Sequence, residues 1–215
     1  MKIFLDTADV EAVRKAWATG LLDGVTTNPS KIAQSGSKFR KVVAEICNII
    51  PGPVSAEAMG ESAEEIIAEA QDIAGIAPNV VVKVPMTVDG LTAAGVLEKE
   101  KNVRVNVTMV FSTAQVLLAM KTGVSYVSIV LSRLDEIGNE SDILIEDAVT
   151  IKRNYGFQSE IIAASLKTQN HVLSCVRAGM DIVTVPDLLF FQMFKHPLTD
   201  AGLEQFAKDW EKVPK

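Results

Sequence analysis

A single lysine, Lys83, interrupts the apolar run Val80-Val81-Val82-Lys83-Val84-Pro85. A short, β-branched run that ends at proline reads as a buried strand of a parallel sheet. An ammonium in such a strand is costly to desolvate, and burial drives it toward the neutral, nucleophilic amine. That form condenses with a carbonyl to give a Schiff base. The strand alone also fits a lysine that snorkels to solvent, or one paired with a carboxylate.

The other apolar runs carry polar residues near their C-terminal ends. They are Asp6, Thr26 and Asn28, Ser55 and Glu57, Asn106 and Thr108, Ser128 and Ser132, and Ser165 with Lys167 just beyond. Alternate residues of a strand share a face, so each set keeps one parity. The other parity is apolar, as at Val105, Val107 and Met109. One inward polar residue is an ordinary core feature, whereas seven strands converging this way point to a site. By chemistry, Lys83 is the nucleophile toward a carbonyl. Of Asp6 and Glu57, one can move protons directly and one can orient a water. Asn28, Asn106, Thr108 and Ser165 are neutral groups suited to substrate hydroxyls and a carbinolamine, with Ser128 beside them. Arg133 and Lys167 follow the sixth and seventh runs, where they either hold a phosphate or remain solvated rim charges. Their positive field would also favour the neutral form of Lys83. His171 is expected to make a structural hydrogen bond, and His196 precedes Pro197 in a turn.

The elements that must position these groups alternate along the whole chain. Strands are expected at 2–6, 24–28, 53–58, 80–85, 104–110, 126–132, 160–165 and 181–186. Helices are expected at 8–19, 38–49, 62–73, 90–98, 112–120, 141–154, 168–178 and 188–194. Eight β/α units in series predict an α/β fold, a single-domain closed parallel (β/α)8 barrel with its site at the C-terminal face of the strands. The rival is an open doubly wound sheet, but no GxGxxG follows the first strand. An extra amphipathic helix at 199–212 places Leu203, Phe206, Ala207 and Trp210 on one face, either covering the barrel or packing on a neighbouring subunit.

Composition narrows the classes. The chain has 215 residues, 48% hydrophobic and 22% charged, enough for one domain with a sizeable core. A net charge of −6 with no basic run argues against nucleic-acid or acidic-membrane binding. Two cysteines, Cys47 and Cys175, no CxxC and two histidines argue against a structural metal site. Two reduced thiols, an acid at position 6 where a signal peptide needs apolar residues, and no run of membrane-spanning length predict a cytoplasmic protein.

Several segments together resemble the small transaldolase family, which includes fructose-6-phosphate aldolase. They are Phe4-Leu5-Asp6-Thr7-Ala8, Gly24-Val25-Thr26-Thr27-Asn28-Pro29-Ser30, Val82-Lys83-Val84-Pro85-Met86-Thr87 and Asn106-Val107-Thr108-Met109-Val110-Phe111. Arg133-Leu134-Asp135, Ala164-Ser165 and Val183-Thr184-Val185-Pro186 add to them. The resemblance implies a TIM barrel that transfers a dihydroxyacetone unit between sugar phosphates through a lysine Schiff base, with no cofactor and no metal. It implies Lys83 as the Schiff-base lysine and Asp6 as the acid/base. It further implies Glu57 positioning a water with Thr108, Asn28, Asn106 and Ser165 on the three-carbon unit, and Arg133 on the phosphate. It implies a ring-based homo-oligomer, a pentamer or decamer, in which the last helix reaches a neighbour.

Three departures bear on substrate choice. Ser128-Ile129-Val130-Leu131-Ser132-Arg133 stands where the family usually reads Ser-Pro-Phe-Val-Gly-Arg, so Val130 replaces a ring. Lys167 stands where Arg is frequent, and Asp187 follows Pro186 where Phe is usual. The aldolase branch tends to carry Gln in place of Glu57 and Tyr in place of Val130, so Glu57 favours the transferase. A non-catalytic sugar-phosphate-binding barrel is the alternative from another class, and it would not require a buried lysine.

Overall fold

The computed structural model describes residues 1–214. Eight parallel strands close into a barrel in sequence order, β1 to β8, with β8 pairing back onto β1. The strands are β1 (Lys2–Asp6), β2 (Gly24–Thr26), β3 (Val54–Glu57), β4 (Val80–Pro85), β5 (Val105–Val110), β6 (Tyr126–Val130), β7 (Glu160–Ala164) and β8 (Ile182–Val185). The expected single-domain (β/α)8 barrel is the architecture found, and every expected strand is present within a residue or two of its expected ends.

Strand parity explains why the sheet closes as it does. Leu5, Val25, Val54, Ala56, Val82, Val84, Val105, Val107, Val127, Ile129, Ile161, Ala163, Val183 and Val185 point outward into one apolar layer shared with the helices. The opposite parity starts at the barrel floor with a separate plug of Phe4, Val81, Tyr126, Ile162 and Ile182. Gly24 makes room for that plug, since a Cβ there would lie 2.8 Å from the Phe4 ring. Above the plug the same inward parity turns polar.

Several outer helices begin with side-chain caps. Asp9 caps α1 (Val10–Trp17), Ser62 forms a capping box with Glu65 on α4 (Ala63–Ala74), and Thr87 caps α5 (Val88–Glu100). The helices α3 (Phe39–Ile49), α6 (Thr113–Lys121), α8 (Ser141–Tyr155), α9 (Gln169–Ala178) and α10 (Asp187–Gln192) complete the expected set. The last helix, α11 (Pro197–Trp210), begins and ends two residues earlier than expected, with His196 as its N-cap. None of its residues is buried, and Leu198, Leu203, Phe206 and Trp210 are exposed.

Two short helices were not expected, and both stand at the mouth of the barrel. α2 (Pro29–Ser35) starts where the second strand was expected to continue through Asn28. Asn28 is its N-cap, Pro29 its first residue and Gly36 its left-handed stop. α7 (Ser132–Glu136) takes up Ser132 and Arg133, because β6 ends at Val130 rather than at 132. Among the described residues no helix is long and apolar enough to cross a membrane.

Candidate active site

Pairing register brings the three central groups into one row. Glu57 on β3 is level with Lys83 on β4, and Lys83 is level with Asn106 on β5. Lys83 is 8% exposed, and its Nζ donates to Glu57 Oε2 at 3.1 Å and to the Thr27 carbonyl at 3.1 Å. The lysine is therefore neither isolated nor snorkelling; it is paired with a carboxylate inside the lumen. Asn106 is fully buried beneath the cavity, where its Oδ1 accepts from Ser128 Oγ at 2.7 Å and its Nδ2 reaches Ser55 Oγ at 3.4 Å. It supports the floor of the site rather than lining it.

Asp6 ends β1 opposite the lysine row and belongs to a hydroxyl chain. Thr26 Oγ1 donates to Asp6 Oδ1 at 3.1 Å and lies 2.7 Å from Thr184 Oγ1. Thr26 has one hydroxyl proton, so while it serves Asp6, Thr184 must donate to Thr26. Burial pushes the Asp6 carboxyl above the usual carboxylate range. The positive charge of Lys31, the Thr26 hydrogen bond and the charge of Lys83 act in the opposite sense and limit that rise. A carboxyl raised in this way suits proton exchange with a substrate hydroxyl.

These groups open into one cavity of about 340 Å³ at the C-terminal face of the strands. It is lined by Asp6, Asn28, Glu57, Lys83, Thr108, Ser128, Arg133 and Ser165, which the sequence singled out for the site, and also by Thr26, Thr184 and Val130. Asn28 spends its Oδ1 on the Lys31 backbone N–H at 3.0 Å, so its Nδ2 is the group left to serve a ligand. Ser165 has φ +60° and its hydroxyl lies 2.7 Å from that of Ser132. Val130 faces the cavity, while Ile129 and Leu131 are fully buried in the outer core, so neither fills its place.

Three expectations need correction. Lys167 is outside this cavity; it is exposed and ion-paired with Glu136 of α7. The left-handed turn at Ser165 buries Leu166 and sends Lys167 to the outer rim. Met109 does not pack outward with Val105 and Val107. The β5–β6 register shifts between Val107 and Val110, Met109 takes φ +61°, and its side chain lines the cavity mouth near Arg133, with Nη1 4.0 Å from its sulfur. Asn28 and Ser132 belong to the starts of α2 and α7, not to strands. The sequence reading also missed Lys31, Gln34 and Ser30, which α2 adds to the wall, and Thr184 of β8.

The histidines have structural roles. His171 Nδ1 accepts from the Lys167 backbone N–H at 3.2 Å, its Nε2 lies 3.2 Å from Asp135, and His196 Nδ1 accepts from the Leu198 N–H. Both cysteines are free, and burial pushes the Cys47 and Cys175 thiols up to about 11 and about 12.

A family model described as Transaldolase/Fructose-6-phosphate aldolase matches residues 3–215. The chain belongs to this family. A probable transaldolase of Caldicellulosiruptor saccharolyticus is 52% identical over 216 residues, covering 100% of this chain and 99% of that protein. A probable transaldolase of Geobacter metallireducens is 50% identical over 215 residues, covering 100% of both. Among solved structures, inosine 5′-monophosphate dehydrogenase from Legionella pneumophila superposes with a TM-score of 0.61 at 11% identity, over 88% of this chain and 58% of that one. At that identity the likeness is one of fold alone.

Proposed function

We propose that the protein is a transaldolase that moves a dihydroxyacetone unit from fructose 6-phosphate to erythrose 4-phosphate through a Schiff base on Lys83. The observation that carries this reading is the buried contact of Lys83 with Glu57 at 3.1 Å, facing the cavity that Asp6 also lines. A binding protein gains nothing from an amine held against a proton acceptor in its lumen.

Glu57 takes the proton from Lys83, and the free amine adds to C2 of the ketose. The carbinolamine loses water as Glu57 returns the proton to the departing hydroxyl, leaving a protonated imine. Asp6 removes the C4 hydroxyl proton, the C3–C4 bond breaks, and its electron pair flows into the imine to form an enamine. Glyceraldehyde 3-phosphate leaves. The enamine carbon attacks the aldehyde of erythrose 4-phosphate, and Asp6 returns its proton to the new C4 oxygen. A water held by Glu57 and Thr108 then hydrolyses the imine and releases sedoheptulose 7-phosphate. Asn28 and Ser165 hold the hydroxyls of the three-carbon unit over the Asn106–Ser128 floor, and Arg133 meets the phosphate.

We take the enzyme to be a cytoplasmic homo-oligomer, a pentamer or decamer, because the exposed apolar residues of α11 would be covered by a neighbour. Light scattering that gives a monomer would reject that part. The chemical test is sodium borohydride with fructose 6-phosphate. A reduced three-carbon adduct should appear on Lys83 and vanish in Lys83→Arg, since a guanidinium keeps its proton. An unmodified Lys83 in the wild-type protein would reject the Schiff base. Val130 favours a second reading in which the imine is hydrolysed before transfer and free dihydroxyacetone is released. Product analysis with and without erythrose 4-phosphate separates the two.

A further inference from the structure

Arg133 is not the only cation at the mouth of the lumen. Lys31, on the third position of α2, lines the same 340 Å³ cavity as Lys83, Asp6 and Arg133. It is half-buried, and among the described residues no carboxylate lies within ion-pairing distance of it. Lys167, the second cation that the sequence offered for this task beside Arg133, is instead ion-paired with Glu136 outside the cavity. The place of Lys31 is fixed by the site itself, because Asn28 caps α2 by accepting the Lys31 backbone N–H at 3.0 Å.

The topology places the two cations on opposite walls. Lys31 follows β2 and Arg133 follows β6, four strands apart in a closed ring of eight. A sugar chain fixed at Lys83 must leave the lumen between them. Charge in the cavity also favours an anion there. Asp6 and Glu57 are offset by Lys31, Lys83 and Arg133, which leaves one excess positive charge on its lining. A phosphate dianion carries enough charge and enough acceptor oxygens to engage both a guanidinium fork and an ammonium.

We propose that Lys31 is a specificity-determining residue that binds the substrate phosphate together with Arg133 and selects phosphorylated sugars over their free counterparts. This rests on the ketose-phosphate chemistry proposed above. The neighbouring cavity of about 590 Å³, which shares Lys31 and Gln34 with this one, contributes the acids Asp9, Glu11, Glu45 and Asp187. It repels an anion and so confines the phosphate to the Lys31–Arg133 gap.

The experiment compares wild type, Lys31→Met and Lys31→Arg, with fructose 6-phosphate saturating and either erythrose 4-phosphate or erythrose as acceptor. Both acceptors are assayed at one pH in every variant. Any effect of Lys31 on Asp6 falls on both acceptors alike and cancels in their ratio. Lys31→Met should raise the ratio of KM for erythrose 4-phosphate to KM for erythrose about tenfold to a hundredfold, the loss expected for one charge-assisted contact. Lys31→Arg, which keeps the charge, should restore most of the preference. Equal losses on both acceptors would make Lys31 a partner of Asp6 only and overturn the proposal, as would no loss on either. A second measurement holds even if the wild-type protein transfers nothing and traps no imine. Inorganic phosphate should bind the unreacted protein more weakly after Lys31→Met, and unchanged phosphate affinity would overturn the role of Lys31 independently of the reaction.

Discussion

Thr26→Val offers a sharp test of how the acid/base group is held. The two side chains are close in shape, so the substitution removes a hydroxyl and little volume. That hydroxyl makes two buried contacts, 3.1 Å to Asp6 and 2.7 Å to Thr184. A hydrogen bond to a charged group contributes about 1.5–3 kcal/mol and a neutral one about 0.5–1.5 kcal/mol. Their joint loss should cost about 2–4.5 kcal/mol, since Thr184 is only 1% exposed and has little water with which to replace its partner. For a chain of this size each kcal/mol lowers Tm by about 2–4 °C, so a fall of roughly 4–18 °C is expected near neutral pH. The pH dependence gives the sign. The Thr26 bond favours ionised Asp6, and burial already raises that carboxyl. Losing the bond raises it further, which moves the acid limb of kcat/KM to higher pH. The destabilisation should be largest above the Asp6 titration and shrink as pH falls through it, because the bond is worth most to the charged form. Calorimetry and rate profiles from pH 4 to 9 measure both, with Thr26→Ser as the control that keeps the hydroxyl. A Tm within 1 °C of wild type, or an acid limb that stays in place in a folded variant, would refute the reasoning.

Three further outcomes are expected. Glu57→Gln keeps a polar group beside Lys83 but removes the proton acceptor that lies 3.1 Å from it; transfer should fall about a hundredfold or more, in line with loss of a general base, while borohydride trapping, which needs imine formation but not the later hydrolysis, should fall less. Equal loss of trapping and transfer would show that Glu57 serves only to form the imine. Arg133→Ala should raise KM for phosphorylated acceptors about tenfold to a hundredfold and barely change that for free aldehydes, and a uniform loss would reduce Arg133 to a rim charge. Val130→Phe should lower the ratio of free dihydroxyacetone to sedoheptulose 7-phosphate by excluding water beside Glu57, provided the ring fits the lumen; an unchanged or higher ratio in a folded variant would reject the open-pocket account.

The barrel was legible because its two governing patterns are local. Helix and strand periods alternate eight times, and within each strand one parity is apolar. The same parity rule exposed the inward polar residues on seven strands, since a buried polar group stands out against Val and Ile. Thr184 carried the same signal, a polar residue on the inward parity of Ile182, and could have been read from Ile182-Val183-Thr184-Val185. The Asn28-Pro29 cap and Gly36 stop of α2 are also in the sequence, but the strand-like Val25-Thr26-Thr27 run carried the expected strand onto Asn28 and left the following residues without a helix.

What the sequence hid lies where the backbone leaves regular geometry. Parity holds only while every residue occupies one rung, and the left-handed turn at Met109 breaks that count on β5. It converts an apparent outer-core methionine into part of the cavity rim. A second left-handed residue, Ser165, decides which way the chain leaves β7, and so removes Lys167 from the mouth. Both residues are non-glycine, so no residue type announces the turn, and the cost of holding each must be met by its surroundings. At Ser165 the surroundings are visible: Ser132 donates its backbone N–H to the Ser165 carbonyl at 3.3 Å and shares a hydroxyl contact with its side chain. That contact ties the start of α7 to the end of β7 and so fixes the base from which Arg133 projects. The cations of the mouth are therefore chosen by backbone geometry. Ser165 dismisses Lys167, α7 presents Arg133, and the Asn28 cap brings in Lys31, a residue that strand counting had left in a loop.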